Sequence, residues 1–197
     1  MSTTSKAHFV NNDVNICQGD VFQNVRYIFM DSENDEEVNL VEFRFPMAII
    51  VSQACDVGYM GEMIIGHSGK ATKFMPSILM CPIYDASIAR KSEHLTKVFD
   101  TLSINKPDGE SNVLLNSNEY KIVKNDWHYR YHALTVSIDS KVVLDNALID
   151  FKHYFSIPAS YLLNNRKDRL FSLDDLYSEQ ITLKFATYLS RVALPEE

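Results

Sequence analysis

The feature that most constrains the fold is a series of short segments rich in aromatic and β-branched residues, each bounded by turn-forming residues. The most regular is residues 41–53, whose continuously apolar stretch Ala-Ile-Ile-Val is typical of a strand buried on both faces. Strands are predicted at residues 21–30, 41–53, 77–84, 113–115, 120–123, 131–138, 142–144 and 148–155. Short strands separated by turns, such as Asp139-Ser140, indicate a small barrel or a strongly bent sheet.

Two helical patterns accompany the predicted strands. Asp85 or Ser87 is a candidate N-cap for a helix that runs to Phe99. Near the C-terminus, apolar residues recur at steps of three and four and predict a long helix that packs on the sheet or carries a partner interface. Ser172 and Asp175 have the spacing of a capping box at the start of this helix.

Together these patterns predict one α+β domain over residues 1–197, in which a small barrel carries a mid-chain helix and a C-terminal helix packed outside. Residues 1–15 are rich in Ser, Thr and Asn and predict a loose N-terminal arm. Residues 16–157 form the barrel with its insertions in this interpretation. Residues 158–197 form a helical C-terminal part, which includes a short helix beginning near Pro158.

Three segments between the predicted elements have loop chemistry. Residues 31–37 contain five acids in seven residues, which is typical of a solvated hairpin loop. The alternatives are a mimic of a phosphate backbone or a docking site for a basic partner. Residues 58–76 hold four of the six glycines and predict a long excursion between strands. The basic residues at 166–169 predict a solvated loop.

The composition excludes several classes of protein. With 19 basic and 26 acidic residues the net charge is −7, so any contact with nucleic acid must come from a local patch. The three cysteines, Cys17, Cys55 and Cys81, form neither a disulfide framework nor a zinc signature and predict reduced thiols. The longest apolar run, residues 46–51, is far shorter than the ~20 residues of a membrane helix, so we predict a soluble, cytoplasmic protein without a membrane partner.

The first candidate site is the polar sequence Ser-Gln-Ala-Cys-Asp that follows the buried strand at 52–56. Cys55 is a candidate nucleophile if a histidine lowers its pKa, with Asp56 or Asp150 orienting that histidine. In the alternative interpretation, Cys55 is a small apolar filler and Asp56 caps the turn.

The second candidate site is residues 121–132, where basic residues, aromatic residues and histidines are interleaved. Positive charge for phosphates and rings for base stacking are what single-stranded nucleic acid requires. The binding candidates are Lys124, Trp127, Tyr129 and Arg130. His128 or His132 is a candidate general acid or base. The same alternation is also typical of an ordinary half-buried strand.

The sequence predicts neither a metal nor a cofactor. His128 and His132 are four residues apart, but on a strand this separation is roughly 13 Å, too far for one ion. The sequence contains no phosphate-binding glycine motif, no zinc signature and no serine elbow.

Three stretches within about residues 18–85 resemble the MazF/PemK family, SH3-like barrel toxins that cut single-stranded RNA. They are Gly-Asp-Val at 19–21, Arg-Phe-Pro-Met-Ala-Ile-Ile-Val-Ser at 44–52, and Leu-Met-Cys-Pro-Ile at 79–83. The family pattern is a Gly-Asp start, an Arg-Pro strand ending in Ser, and a Cys-Pro-Ile strand ending in Thr. Here Tyr84 replaces that Thr, and Phe45 is inserted between Arg44 and Pro46.

The resemblance implies an SH3-like barrel in which Arg44 stabilises charge on the scissile phosphate while Ser52 and Gln53 line the RNA cleft. A neighbouring 2′-hydroxyl would attack, so no metal would be needed. His132 or Asp56 is our candidate for proton transfer. Family members tend to be homodimers inhibited by an antitoxin peptide, which implies a protein partner.

The first functional hypothesis is therefore a bacterial endoribonuclease toxin or phage-defence effector. The second is a catalytically silent barrel that binds a protein partner within a toxin–antitoxin or defence assembly. The third is a hydrolase or transferase that depends on Cys55.

Overall fold

The computed structural model describes residues 4–11, 15–34, 37–57, 75–91, 93–94 and 115–191. These ranges form a mixed α+β architecture with an eight-stranded sheet and several helices. The strands are β1 (Ser5–His8), β2 (Asp20–Asn34), β3 (Glu37–Ile50), β4 (Ser77–Asp85), β5 (Tyr131–Ile138), β6 (Lys141–Asp150), β7 (Phe155–Pro158) and β8 (Arg169–Leu173).

The strand order is β3-β2-β8-β1-β5-β6-β4-β7, and β4 pairs with β3 as well. Neighbouring strands are antiparallel except β1 and β5, which are parallel. The β3–β4 ladder pairs Met47 with Ile83 and Ile50 with Met80. The chain stretches 44–52 and 79–83 therefore lie side by side.

Five α-helices lie among the described residues: α1 (Ala54–Val57), α2 (Ala86–Arg90), α3 (Ser117–Lys124), α4 (Ala159–Asn164) and α5 (Asp175–Leu189). Short 3₁₀ turns occur at Phe151–His153 and Arg166–Asp168. In the part of the chain that the structure describes, no helix has the length and apolar character needed to span a membrane.

The long C-terminal helix packs on the sheet, as predicted. Ile181 and Phe185 of α5 are buried, and the ring centroid of Phe185 is 5.9 Å from that of Phe151. Aromatic contact over this distance adds to the burial of apolar area. The opposite side of α5 is exposed, including Leu176 and Leu183.

Several strand predictions are confirmed. Residues 48–51 are buried, β4 covers 77–84, and β5 spans 131–138. Asp139 and Ser140 both have positive φ, 49° and 65°, as a type I′ hairpin turn requires. Asp85 is the N-cap of α2 and accepts hydrogen bonds from the backbone N–H groups of Ser87 and Ile88. The prediction that this helix runs on to Phe99 is wrong, because α2 ends at Arg90 with Lys91 as its C-cap.

Other predictions from the sequence are wrong, each because tertiary pairing or a local cap overrides the pattern. The loose arm contains β1, since Ser5 pairs with Val136 of β5. Residues 120–123 are helical, because Asn116 and Glu119 form a capping box that starts α3. The strand predicted at 142–144 is confirmed as part of β6, but the one predicted at 148–155 is interrupted, because a 3₁₀ turn at Phe151–His153 separates the end of β6 from β7.

The C-terminal part also departs from prediction. Ser172 lies in β8 and its hydroxyl is hydrogen-bonded to Asp20, so it does not cap α5, whose N-cap is Asp174. The basic segment 166–169 is not simply a solvated loop, because the side chain of Arg169 is 1% exposed and pairs with Asp20 at 2.9 Å. Parts of several predicted segments lie outside the described residues: 35–36 at the tip of the acidic loop, 58–74, 95–99, 113–114 and 192.

The start of β2 depends on one glycine. Gly19 has φ +84°, and a Cβ added there would lie 2.5 Å from Cβ of Ser178 on α5. We expect Gly19→Ala to lower the free energy of unfolding by about 2 kcal/mol or more, since the left-handed backbone alone costs alanine roughly 1–2 kcal/mol. Urea denaturation measures this loss of stability, and Gln180→Ala, on the exposed side of α5, is the control. Equal stability of the two variants would contradict the close packing of Gly19 on Ser178.

Candidate functional site

A buried ion pair joins the ends of β5 and β6. Asp150, the last residue of β6, is fully buried and is paired in the ladder with Tyr131. Arg130, immediately before β5, donates from Nε to Oδ1 of Asp150 at 2.8 Å and from Nη2 to Oδ2 at 2.7 Å. The backbone N–H of Lys152 donates to the same Oδ1 at 3.0 Å. These two charge-assisted hydrogen bonds offset the free-energy cost of burying the carboxylate.

Two histidines approach the same carboxylate. His153 lies on the 3₁₀ turn after β6, and its Nδ1 is 3.2 Å from Oδ2 of Asp150. His94 approaches from the segment after α2, with its Nε2 3.9 Å from the same oxygen and its side chain 1% exposed. We use the name Asp150 cluster for six residues: Tyr84, His94, Arg130, Tyr131, Asp150 and His153.

The Asp150 cluster holds several buried polar atoms that lack a hydrogen-bond partner among the described residues. They are both ring nitrogens of His94, Nδ1 of His153 and the hydroxyls of Tyr84 and Tyr131. The imidazole of His94 is instead packed on Tyr84, with ring centroids 4.5 Å apart. Unpaired buried polar groups cost about 1–3 kcal/mol each, so such a concentration points to a functional role.

Burial sets the protonation states of the cluster. It lowers the pKa of His94 to about 4 and also lowers the pKa of His153, so both imidazoles are neutral at pH 7. Burial alone would lower the pKa of Arg130, but the hydrogen bonds that it donates to Asp150, together with the charge of that carboxylate, raise the pKa overall. Burial, together with the charge of Asp150, raises the pKa of Tyr84 and Tyr131, so both phenols stay protonated.

A cleft of about 480 Å³ opens beside the cluster, between β3, β4 and α2. Its volume falls in the range of small-ligand pockets. It is lined by Asn24, Phe43, Arg44, Phe45, Pro46, Met47, Ile83, Tyr84, Asp85, Ile88, Glu93 and His94. Tyr84 and His94 thus belong to both the cleft and the Asp150 cluster.

Arg44 is the one predicted catalytic residue that lines the cleft. Its side chain is 65% exposed and its Nε donates to Oε1 of Glu42 at 2.7 Å. Arg26, opposite Arg44 in the β2–β3 ladder, donates to the other oxygen of Glu42 at 2.7 Å. Glu42 therefore bridges two arginines, and the hydrogen bond from Arg44 lowers its pKa. Such an exposed pair costs little to open when an anion binds Arg44.

The first candidate site from the sequence follows β3. Ser52 and Gln53 immediately precede α1, and Cys55 and Asp56 lie within it. Ser52 is buried, and its hydroxyl accepts a hydrogen bond from the backbone N–H of Leu79 at 2.8 Å. Gln53, Cys55 and Asp56 are exposed. The interpretation of Cys55 as a buried filler is therefore wrong, because the thiol buried in the sheet is that of Cys81.

The segment 121–132 presents two exposed rings. Trp127 is 80% exposed and Tyr129 is 59% exposed, and the guanidinium of Arg191 lies 4.2 Å from the centroid of Tyr129. Lys124 lies over the ring of Tyr120 at 4.8 Å.

The histidines of this segment have partners of their own. Nδ1 of His128 accepts from the backbone N–H groups of Arg130 and Tyr131, both at 3.1 Å. Nδ1 of His132 is 2.6 Å from Oδ1 of Asp126, which also binds Lys184. Of the described residues, neither His132, Arg130 nor Asp56 is among those that line the cleft.

Sequence reasoning missed His94, His153, Tyr84 and Glu93 as site residues. None lies in a recognisable motif, and His94 and Asp150 are brought together only by the fold. The signal that was available is weak: an aspartate and a histidine three residues apart, both within the strand predicted at 148–155.

The three stretches that resemble MazF/PemK toxins fall at the start of β2, in β3 and in β4. Two of them border the same cleft. No protein-family model, no curated protein and no solved structure matches the chain.

Proposed function

We propose that the protein is an endoribonuclease that cuts single-stranded RNA in the cleft between β3 and β4. The observation that carries this proposal is the position of Arg44, an exposed guanidinium that lines a cleft also lined by Glu93. A cation for the phosphate and a base for the attacking hydroxyl are the two groups that the reaction requires.

The proposed architecture is a small SH3-like barrel of the MazF/PemK kind. Pairing of β4 with β3, at the other end of the strand order, supports a sheet that closes on itself. Closure would curve β3 and β4 around the cleft and hold Arg44 at its rim. Asn24 lies between the ladder pairs Gln23–Met47 and Val25–Phe45, opposite Pro46, and has φ 52°. A left-handed residue inside a strand departs from regular β geometry at this point.

In the proposed reaction, the 2′-hydroxyl of one nucleotide attacks the adjacent phosphorus and its proton passes to Glu93. The bond from phosphorus to the 5′-oxygen breaks, and that oxygen takes a proton from solvent. The products are a 2′,3′-cyclic phosphate and a 5′-hydroxyl. Arg44 leaves Glu42 and binds the phosphate as negative charge develops in the transition state. Because the nucleophile belongs to the RNA, the reaction needs no metal.

Glu93 replaces His132 and Asp56 as our candidate for proton transfer. Its side chain is 56% exposed and lines the cleft, whereas His94 beside it is too deeply buried to reach a hydroxyl of RNA directly. Gln53, Lys124, Trp127 and Tyr129 are exposed and remain our candidates for contacts with the rest of the RNA. The hydroxyl of Ser52 and the guanidinium of Arg130 are occupied within the protein.

The test is incubation of the purified protein with a long unstructured RNA in EDTA, followed by analysis of the fragment ends. We expect cuts that leave 2′,3′-cyclic phosphates, and about 10²-fold slower cutting by Glu93→Gln, because the amide cannot accept the proton. Glu179→Gln, on the exposed side of α5, is the matched control. Fragments with 3′-hydroxyl ends, or full activity of Glu93→Gln, would overturn the mechanism.

A second candidate function, a catalytically silent module that binds a protein partner, is favoured by the β2–β3 hairpin. Ile28, Met30 and Leu40 are between 49% and 73% exposed, and Met30 pairs with Leu40 across the ladder. Adjacent exposed apolar side chains mark interaction surfaces. With a second copy of the chain as the partner, this function predicts no cuts by the parent protein, and self-association in light scattering that Met30→Asp abolishes.

A further inference from the structure

Three side chains of the Asp150 cluster have the chemistry of a metal site. His94, Asp150 and His153 each offer one ligand atom, and these atoms all lie within 4.8 Å of one another. We propose that they bind one divalent transition-metal ion, with Zn²⁺ as the ion that fits best. The proposal is independent of the RNA-cleavage mechanism, which uses Arg44 and Glu93 at the mouth of the cleft.

The distances are close to those of a loaded site. Oδ2 of Asp150 is 3.2 Å from Nδ1 of His153 and 3.9 Å from Nε2 of His94. Zinc bonds of 2.0–2.2 Å in tetrahedral geometry place neighbouring ligand atoms about 3.3 Å apart. Binding therefore needs His94 to move closer to Asp150 and to His153, since the three ligand atoms now lie within 4.8 Å of one another. Two histidines and one carboxylate leave a fourth position for water, the arrangement of many zinc sites.

The hydrogen bonds around Asp150 leave room for the ion. Oδ1 already accepts from Arg130 and from the backbone of Lys152, whereas Oδ2 accepts only from Arg130 among the described residues. One lone pair of Oδ2 therefore remains on the oxygen nearest the two imidazoles. Arg130 acts as the outer partner that orients a ligating carboxylate.

The unpartnered imidazole nitrogens are the second, independent observation. Neither nitrogen of His94 has a hydrogen-bond partner among the described residues, although the side chain is 1% exposed. Nδ1 of His153 lies 3.2 Å from Oδ2 of Asp150 but makes no hydrogen bond there. An ordinary core histidine satisfies at least one ring nitrogen with a donor or acceptor. Metal ligation would satisfy one nitrogen of each ring at once.

Arg130 sets the strength of the site. Its Nη2 lies 3.5 Å from Nε2 of His153, and that Nε2 carries the proton when Nδ1 binds the ion. The guanidinium must therefore move away from His153 on binding, while it keeps its bonds to Asp150. We expect weaker binding than at a site without this positive charge.

The experiment is calorimetric titration of the metal-free protein with Zn²⁺. Cys17 and Cys55 are exposed, and thiolates are zinc ligands in general, so the titrations use the Cys17→Ser, Cys55→Ser double variant. We expect one equivalent of Zn²⁺ to bind and the melting temperature to rise, since the ion binds only the folded site. Addition of His153→Gln should weaken binding by about tenfold or more, because loss of even an outer partner costs 10- to 100-fold.

His132→Gln is the matched control, because His132 also contacts a carboxylate but lies outside the Asp150 cluster. The visible absorption of Co²⁺ bound in place of Zn²⁺ is a second measurement. It reports tetrahedral coordination directly, so it does not depend on the melting temperature of a variant. Absence of binding, or equal binding by the parent and the His153→Gln variant, would overturn the metal site. Either result leaves RNA cleavage in EDTA untouched, so the two proposals fail separately.

Discussion

Replacement of Arg44 by alanine is expected to slow RNA cleavage by about 10³-fold, the upper range for loss of one group that stabilises a developing oxyanion. The guanidinium lines the cleft and is exposed, so a phosphate can displace Glu42 from it. Arg44→Lys should recover only part of the rate, because an ammonium group lacks the planar fork that binds two phosphate oxygens.

Arg26→Ala is the control that the fold itself supplies. Arg26 faces Arg44 across the ladder, binds the same Glu42 at 2.7 Å, and is not among the described residues that line the cleft. Its loss removes the same charge from the same surface, so it reports any general electrostatic effect on RNA binding. Equal losses in Arg26→Ala and Arg44→Ala would show that net charge, and not position in the cleft, matters.

Single-turnover cleavage of a short labelled RNA measures both variants, with unfolding curves to show that each is folded. The arginines are exposed, so the free energy of unfolding should change by less than about 1 kcal/mol in either variant. Full activity of Arg44→Ala would remove the observation on which the proposed function depends.

The second large effect is expected at the buried ion pair. Arg130→Met should lower the free energy of unfolding by about 3–5 kcal/mol, because it leaves the carboxylate of Asp150 buried without its cation. Asp150 is 0% exposed, and Arg130 supplies two of its hydrogen bonds. Methionine keeps much of the length of the arginine stem, so lost packing contributes less than the lost charge.

The double variant Arg130→Met, Asp150→Asn distinguishes the effect of the unpaired charge from the other effects of the substitutions. Removing both charges should restore part of the stability, since no ion then remains buried alone. Urea denaturation of the single and double variants gives the coupling energy. If the double variant is as unstable as the sum of the two single variants, the two residues do not interact in the folded protein.

Local chemistry was sufficient for several elements. Apolar runs placed β3 and β4, the pair Asp139-Ser140 placed the β5–β6 turn, and Asp85 placed the start of α2. Each of these signals acts within a few residues, through burial, positive φ or a capping hydrogen bond. The helix α3 was missed because residues 120–123 were predicted as a strand. The capping box at Asn116 starts a helix there instead.

The sequence by itself determined the segments that become buried strands and the turn between β5 and β6. These depend on side-chain pattern over a few neighbouring residues. Only the tertiary structure decided that Arg130 and Asp150 meet, that His94 reaches them, and that β3 lies against β4 beside a cleft. Strand register and the desolvation of charges arise between segments far apart in the chain, and no local pattern encodes them.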